Sequence, residues 1–476
     1  MAIFLGLAVR ERLHLIKKML TIGCLGISFL PSVQAQAQDG VVIVGKNDWL
    51  FVSYENVLEA LDKEAQESFS LIEKLSRMLS RSGVTLALAI IPSKMEIYAE
   101  QLPDNFKVNR YMSEFNDHTL AVLRASGVQV IDLKKPMREA ALRDLDDPLF
   151  FRLDTHWTSS GAFVAAQAIY AGFQVSPVLK KAYEATHLEE YKLTWLTKKQ
   201  RQNTMRDIVK FLPAGATTYP PEEARRFTVK RESELKTPLL STINDTEITL
   251  IGSGFSGNKT GFDDALRFSL QRRVQNYSNN AVAGHWGSMR TYLQDDSFQS
   301  IKPKILLWEI PQRTVGLGPN YRFRLPLHRV DNNEWLLGVA ALVQTHCEPA
   351  LIKAKLEVAG KRLAGDRRAK PTQQAGFAEV LFDKPVDAQS FLSARLKVDG
   401  SKQVTLEAYD QHAMVRKFTV ETVGDEHDHP FKTPLSLTSK GVTRLKIYPG
   451  TANTFAIQDI KICRYQENWL KSSIAQ

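Results

Sequence analysis

Two blocks of this 476-residue chain hold residue types at spacings able to do chemistry. In FFRLDTHWTSSGA, Asp154 and His156 stand two residues apart ahead of a helical stretch, with Thr158 or Ser159 placed as its cap. A carboxylate so close to an imidazole can hold one ring nitrogen as a donor and leave the other free as a base. The second block is ITLIGSGFSG, where a β-branched run meets glycines at 252, 254 and 257, with serines at 253 and 256. One reading of that spacing is a dinucleotide loop. It requires an acidic residue at the end of the next strand, RVQNYS, which has none. The other reading is a strand-to-helix turn whose backbone N–H groups and a serine face a common point, as a nucleophile turn requires.

The elements that must position these blocks follow from periodicity. VVIVGKNDWLFVS reads as a strand with a turn at Gly45 to Asp48. A helical pattern then stops at Gly83, and VTLALAIIP is a continuous apolar run of the kind buried in a parallel sheet. A helix around 111–126, the strand VQVIDL, a helix at FVAAQAIYAGF, the strand EITLIG, a helix at FDDALRFSLQRR, the strand RVQNYS, a helix at MRTYLQDDSF and the strand KILLWEIP follow. Strands alternating with helices predict an α/β domain with a mostly parallel sheet. Beyond about residue 345 the segments become short, alternating and cut by Gly, Pro and Asp, as in SARLKVDG, VTLEAYD and TRLKIYPG, which predicts an all-β sandwich. The join is expected in GLGPNYRFRLPLHRVDNNEW.

The N-terminus has a basic end (Arg10, Arg12, Lys17, Lys18), the apolar stretch MLTIGCLGISFL and small residues in PSVQAQAQ, the order of a secretory signal peptide. Cleavage after Ala35 or Ala37 predicts an exported, periplasmic protein. The expected divisions are a signal peptide at 1–37, the α/β domain at 38–345 and the sandwich at 346–476. Export leaves Cys347 and Cys463 as an even pair in an oxidising compartment, so one disulfide is expected. Of the formal charge of +10, residues 1–37 carry +3, and the mature chain keeps about +7. Outside the cytoplasm that surplus points away from nucleic acid and toward acidic polysaccharide, lipid headgroups or peptidoglycan. No Cys/His grouping has metal-ligand spacing, and no cofactor is called for.

DTHW, GKNDWLF, IIPSK, LP at 102, TEITLIGSGFSGN, VQNYSNNAVAGHWGSM and PKILLWEIPQR occur in an order that resembles the periplasmic alginate O-acetyltransferases of the SGNH-like superfamily. The resemblance implies an SGNH-like domain followed by a carbohydrate-binding-like sandwich. It also implies Asp154 as orienting acid, His156 as general base, an acetyl-serine intermediate, and an alginate or polymannuronate substrate handled with other subunits of a periplasmic export complex. His285, Trp286, Arg313, Tyr321 and Arg322 become candidates for lining the polymer cleft. The nucleophile departs from the pattern. The family turn G-T-S-Y-S has its nucleophile in the middle, and here the middle residue is Gly254. Ser253 in a rearranged turn, Ser256 one step on, or a polymer-binding scaffold without a nucleophile are the three alternatives.

Overall fold

The computed structural model describes residues 41–466 apart from 57–61, 214, 216–217, 233–246, 279–283, 322–329, 345, 360–376, 402, 423 and 436–440. The expected signal peptide therefore lies outside the described residues, as does Arg322.

The chain opens with an antiparallel hairpin, β1 (Val42–Val44) and β2 (Leu50–Val52), whose turn uses Asn47 and Asp48 at positive φ. The central sheet contains β3 (Thr85–Ile91), β4 (Gln129–Asp132), β9 (Ile248–Ile251), β10 (Val274–Asn276) and β11 (Ile305–Pro311), after the insert strands β5 to β8. Its order is β10-β9-β11-β3-β4 and every pairing is parallel. Strands β9 and β11 are buried along their whole length, so both sheet faces need an apolar cover. On β3 the alternation divides them. Leu86, Leu88 and Ile90 join a core with helices Asp62–Arg81, Gly284–Gln294 and Asn332–Val343, while Ala87, Ala89 and Ile91 join one with helices Ser159–Val175 and Phe262–Leu270.

Between helix Ser159–Val175 and β9 the chain adds helix Pro177–Glu184 and two antiparallel pairs, β5 (Tyr191–Trp195) with β8 (Phe227–Arg231) and β6 (Gln200–Gln202) with β7 (Glu222–Ala224). The helix expected over MRTYLQDDSF is two helices, Gly284–Gln294 and Asp296–Ser300. Asp295 interrupts it because its carboxylate accepts from Ser297 N–H and caps the second.

The C-terminal region is two antiparallel sheets. One has β12 (Glu348–Pro349), β20 (Thr454–Arg464), β15 (Ser390–Asp399) and β18 (His429–Pro434) in that order. The other has β13 (Ala354–Ala359), β14 (Phe377–Val386), β19 (Val442–Tyr448), β16 (Gln403–Tyr409) and β17 (Met414–Glu421) in that order. Val380, Leu392, Leu406, Phe431 and Leu445 fill the core between them. Helix Asn332–Val343 carries the chain into this region, and Phe391 and Tyr465 extend the core around Trp335. Tyr465 OH donates to Leu337 O at 3.0 Å, and buried Lys432 Nζ donates to Gln344 O at 2.8 Å. Cys347 and Cys463 are joined by a disulfide across a separation of 116 residues, which contributes about 4–5 kcal/mol in the chain-entropy account.

Candidate active site at the carboxyl edge of the sheet

In an open parallel sheet the loops after the strands converge beyond their carboxyl ends. Here β3 delivers Ser93 and Lys94, β9 delivers the turn Gly252–Gly257, and β11 delivers Glu309 to Arg313. Over them folds the loop 151–158.

That loop is an Asx turn. Asp154 Oδ1 accepts from His156 N–H at 3.0 Å and from His156 Nδ1 at 2.6 Å. Asp154 Oδ2 accepts from Asp207 N–H at 2.8 Å. Burial pushes this carboxyl up, but the imidazole and the two backbone donors outweigh it and hold Asp154 below the ordinary carboxylate range. The loop is clamped from both sides. Buried Glu222 accepts from the N–H groups of Arg152 and Leu153, each at 2.9 Å. Lys94 Nζ, fully buried, donates to Leu50 O at 2.7 Å, Arg152 O at 2.9 Å and Asp154 O at 3.1 Å, and burial lowers its pKa to about 8. Thr158 caps the next helix, accepting from Gly161 N–H, while Trp157 Nε1 donates to Phe255 O at 3.0 Å and ties this loop to the turn after β9.

In that turn Ser253 and Ser256 both face one carboxylate. Glu309, at 0 % exposure, accepts from Ser253 N–H at 2.7 Å, from Ser253 Oγ at 3.0 Å and from Ser256 Oγ at 2.8 Å. Burial pushes Glu309 up, against the pull of these donors and of His156. Parallel register explains the meeting. Trp308 pairs with Ile251, so Glu309 lies beside Gly252, where a Cβ would fall 2.5 Å from Glu309 Oε2 and 2.1 Å from Ser256 Oγ. Gly254 faces the other way. A Cβ built there lies 2.6 Å from His156 Nε2, and its three nearest atoms all belong to that ring. The Phe255 ring packs on the imidazole at 4.8 Å. The N–H groups of Ser253, Phe255, Ser256 and Gly257 are engaged by Glu309, Ser253 Oγ, Ser253 O and Gly254 O.

The cleft candidates separate. Arg313 Nη1 donates to Glu55 Oε1 at 2.7 Å and its guanidinium sits 5.5 Å from the Phe255 ring centre, beside the dyad. Tyr321 is half-buried. Trp286 lines no cleft. Helix Gly284–Gln294 turns it inward at 0 % exposure against Trp308 and Trp335, with Nε1 on Leu317 O at 2.6 Å, so no ring face is left for a sugar. His285 is buried beside it, its ring against Trp286 and Trp308.

Sequence reasoning missed four residues. Glu309 is a carboxylate inside an apolar strand and Lys94 a lysine three positions past the end of one, and both oddities are visible in the chain. Asp207 accepts from Thr155 N–H at 2.8 Å and Thr155 Oγ1 at 2.6 Å and lies 3.7 Å from His156 Nδ1. Nothing in MRDIVK marks it. Tyr54 keeps a half-exposed ring within electrostatic reach of Arg313, Asp207 and Asp154. Ligand-type atoms of Asp154, His156 and Asp207 fall within 4.8 Å of one another, and the proton on Nδ1 accounts for the closest pair without an ion.

A parallel sheet covered on both faces, with an Asp–His pair over a glycine-rich turn at its carboxyl edge, defines an SGNH hydrolase-like domain. The family model described as SGNH hydrolase-like domain, acetyltransferase AlgX, matches residues 42–312, and the chain belongs to that family. The probable alginate O-acetylase AlgJ of Pseudomonas aeruginosa is 28% identical over 290 residues, covering 58% of this chain and 71% of the relative. The alginate biosynthesis protein AlgX of Pseudomonas syringae pv. tomato is 24% identical over 320 residues, covering 66% and 61%. Among solved structures, the O-acetyltransferase domain of Pseudomonas putida AlgJ aligns with a TM-score of 0.52 at 26% identity, over 64% of this chain and 99% of the other. Pseudomonas aeruginosa AlgX aligns with a TM-score of 0.67 at 16% identity, over 89% and 94%, a likeness of fold.

Proposed function

We propose that this protein works in the periplasm on an acidic, alginate-type exopolysaccharide, binding the polymer and carrying out acetyl chemistry on it as an O-acetyltransferase, alongside other subunits of an export complex. The observation that carries the reading is the Asp154–His156 pair, with Nδ1 fixed by the carboxylate and Nε2 aimed at residue 254, in a chain with relatives named probable alginate O-acetylase. A His so held is a general base. Polymer contact is supported at the rim by Tyr54 and Arg313. On the sandwich, Arg444 lies 4.3 Å over the Tyr409 ring and Lys446 lies 4.9 Å over the Phe377 ring, a half-buried face that mixes ring surface with cation. Arginine suits uronate carboxylates because its donors bond them in pairs.

An acetyl-serine route requires Ser253 or Ser256 to leave Glu309 and reach Nε2. A second reading, a scaffold that retains polymer without turnover, is favoured by Gly254 itself. The test is calorimetric titration of the mature protein with oligomannuronate at low and high salt, beside acetate release from 4-nitrophenyl acetate. Binding that weakens with salt together with His156-dependent release is the expected result. Binding without release leaves the scaffold, and no binding at either salt overturns the polymer assignment.

A further inference from the structure

We propose that His156 acts on the acceptor's own hydroxyl, so that acetyl passes from donor to acceptor in one step with no acetylated serine. The inference rests on the acetyl chemistry proposed above and deepens it.

Three observations converge. Both serine hydroxyls of the turn are held by the same buried carboxylate, Glu309, at 3.0 and 2.8 Å, and not by the imidazole. The imidazole is nonetheless fully equipped as a base, because Asp154 fixes Nδ1 at 2.6 Å and Lys94, Glu222 and Asp207 hold the loop that carries the pair. Finally, the point where a Cβ of residue 254 would stand is 2.6 Å from Nε2, and the next atoms, 3.5 and 3.6 Å away, belong to the same ring. A side chain at 254 would stand against the ring, and the glycine supplies none. The His156 side chain is 24% exposed, so an incoming hydroxyl can approach Nε2 from solvent to about 2.6–3.2 Å, the distance at which O–H donors reach their acceptors.

The step balances without any enzyme-bound intermediate. Nε2 takes the proton of the acceptor hydroxyl as its oxygen forms a bond to the carbonyl carbon of an acetyl ester or thioester donor. The carbonyl electron pair moves onto oxygen beside Gly254 N–H, the N–H of this turn not engaged by a neighbour among the described residues. When that pair returns, the bond to the donor's leaving group breaks, and Nε2–H delivers the proton to it. The acceptor is an acidic sugar polymer, and water in its place gives acetate.

The experiment uses the mature protein with 4-nitrophenyl acetate as donor and oligomannuronate as acceptor, varied together, with intact mass followed during turnover. The expected result is intersecting double-reciprocal lines, no acetylated protein, and a loss on the order of 100-fold or more in His156→Ala. Gly254→Ser should switch the pattern to parallel lines with one acetyl group on the protein, because the base then has a serine to serve. An acetyl group on Ser253 or Ser256 that forms and decays as fast as turnover would overturn the one-step route. So would turnover equal in the unaltered protein and His156→Ala, even with oligomannuronate bound, which preserves polymer binding. His156-dependent acetate release without oligomannuronate binding supports the one-step route and overturns the polymer.

Discussion

Two buried carboxylates within electrostatic reach of the same imidazole are used in opposite ways. Asp154 sits in a local turn and accepts two N–H bonds and the ring of His156, so its charge is favoured and orients a base. Glu309 sits at the end of the central strand and accepts two hydroxyls and one N–H, so burial dominates and its charge is disfavoured. The first polarises a reactive group, while the second holds both serine hydroxyls of the turn in place. Their difference is one of surroundings: a cationic partner can form beside Asp154, and only neutral donors face Glu309 directly.

The largest expected effect is on the reactive side. Asp154→Asn keeps the shape but not the charge, and His156-dependent acetate release should fall by on the order of 10²–10⁴-fold, measured as kcat/KM with 4-nitrophenyl acetate. An unchanged rate would mean that the Asp154 charge does not activate the imidazole. On the immobilising side, Glu309→Ala leaves the buried Ser256 hydroxyl, the half-buried Ser253 hydroxyl and an N–H without acceptors and should lower stability by about 2–4 kcal/mol, read as a shift in the urea midpoint.

The comparison sharpens with pH, because the two carboxyls shift oppositely. Asp154 is held below its unfolded value of about 3.9, so its contribution is present above that pH and is lost as pH falls through the folded value. Glu309 is held above its unfolded value of about 4.3, so the unfolded chain ionises first and Glu309 costs stability as pH rises through that window. Thermal unfolding of Asp154→Asn should therefore converge with the unaltered protein on acidification. Glu309→Gln should gain on it as pH rises above about 4. Parallel curves for both variants would remove the distinction.

The two regions also differ in how much of them the sequence discloses. Asp154 and His156 were legible because an Asx turn is made within two residues, and the turn at 252 because a buried strand ending in glycine announces itself. The parallel sheet was legible from continuous apolar strands, and the sandwich from alternation such as that of Gln403–Tyr409. Glu309 was not, because it reaches the serines through the pairing of Trp308 with Ile251, a register no local pattern encodes. Trp286 was misplaced for the same reason: which side of helix Gly284–Gln294 faces inward depends on Trp308 and Trp335, from other elements. Lys94 and Asp207 act on a loop far from them in sequence, through backbone groups whose positions exist only after folding.

A smaller effect isolates the glycine beside Glu309. Gly252→Ala would place a Cβ 2.1 Å from Ser256 Oγ and 2.5 Å from Glu309 Oε2, displacing the contacts that fix the turn, and should cost about 1–3 kcal/mol. A variant as stable as the parent would show that the turn tolerates a different arrangement, which would reopen the serines as nucleophiles.

The smallest expected effect compares Asp207 with Asp154 at the same imidazole. Asp207 lies 3.7 Å from Nδ1, while Asp154 lies at 2.6 Å, and its side chain is 29% exposed against 2%. Water and salt screen a charge at that exposure, so its direct pull on the ring is weak. Its firmer contribution is geometric, through the two bonds it accepts from Thr155, the residue between the acid and the base. Losing one such bond is worth about 0.5–1.5 kcal/mol, or roughly a 2–10-fold fall in rate. Thr155→Val removes the hydroxyl bond and leaves the carboxylate, whereas Asp207→Asn removes the charge and keeps an acceptor for Thr155. If Asp207 acts by position, Thr155→Val should lose more activity than Asp207→Asn, with little dependence on salt. If Asp207→Asn instead loses more, and salt narrows the gap, the charge is what matters and the imidazole has two working carboxylates.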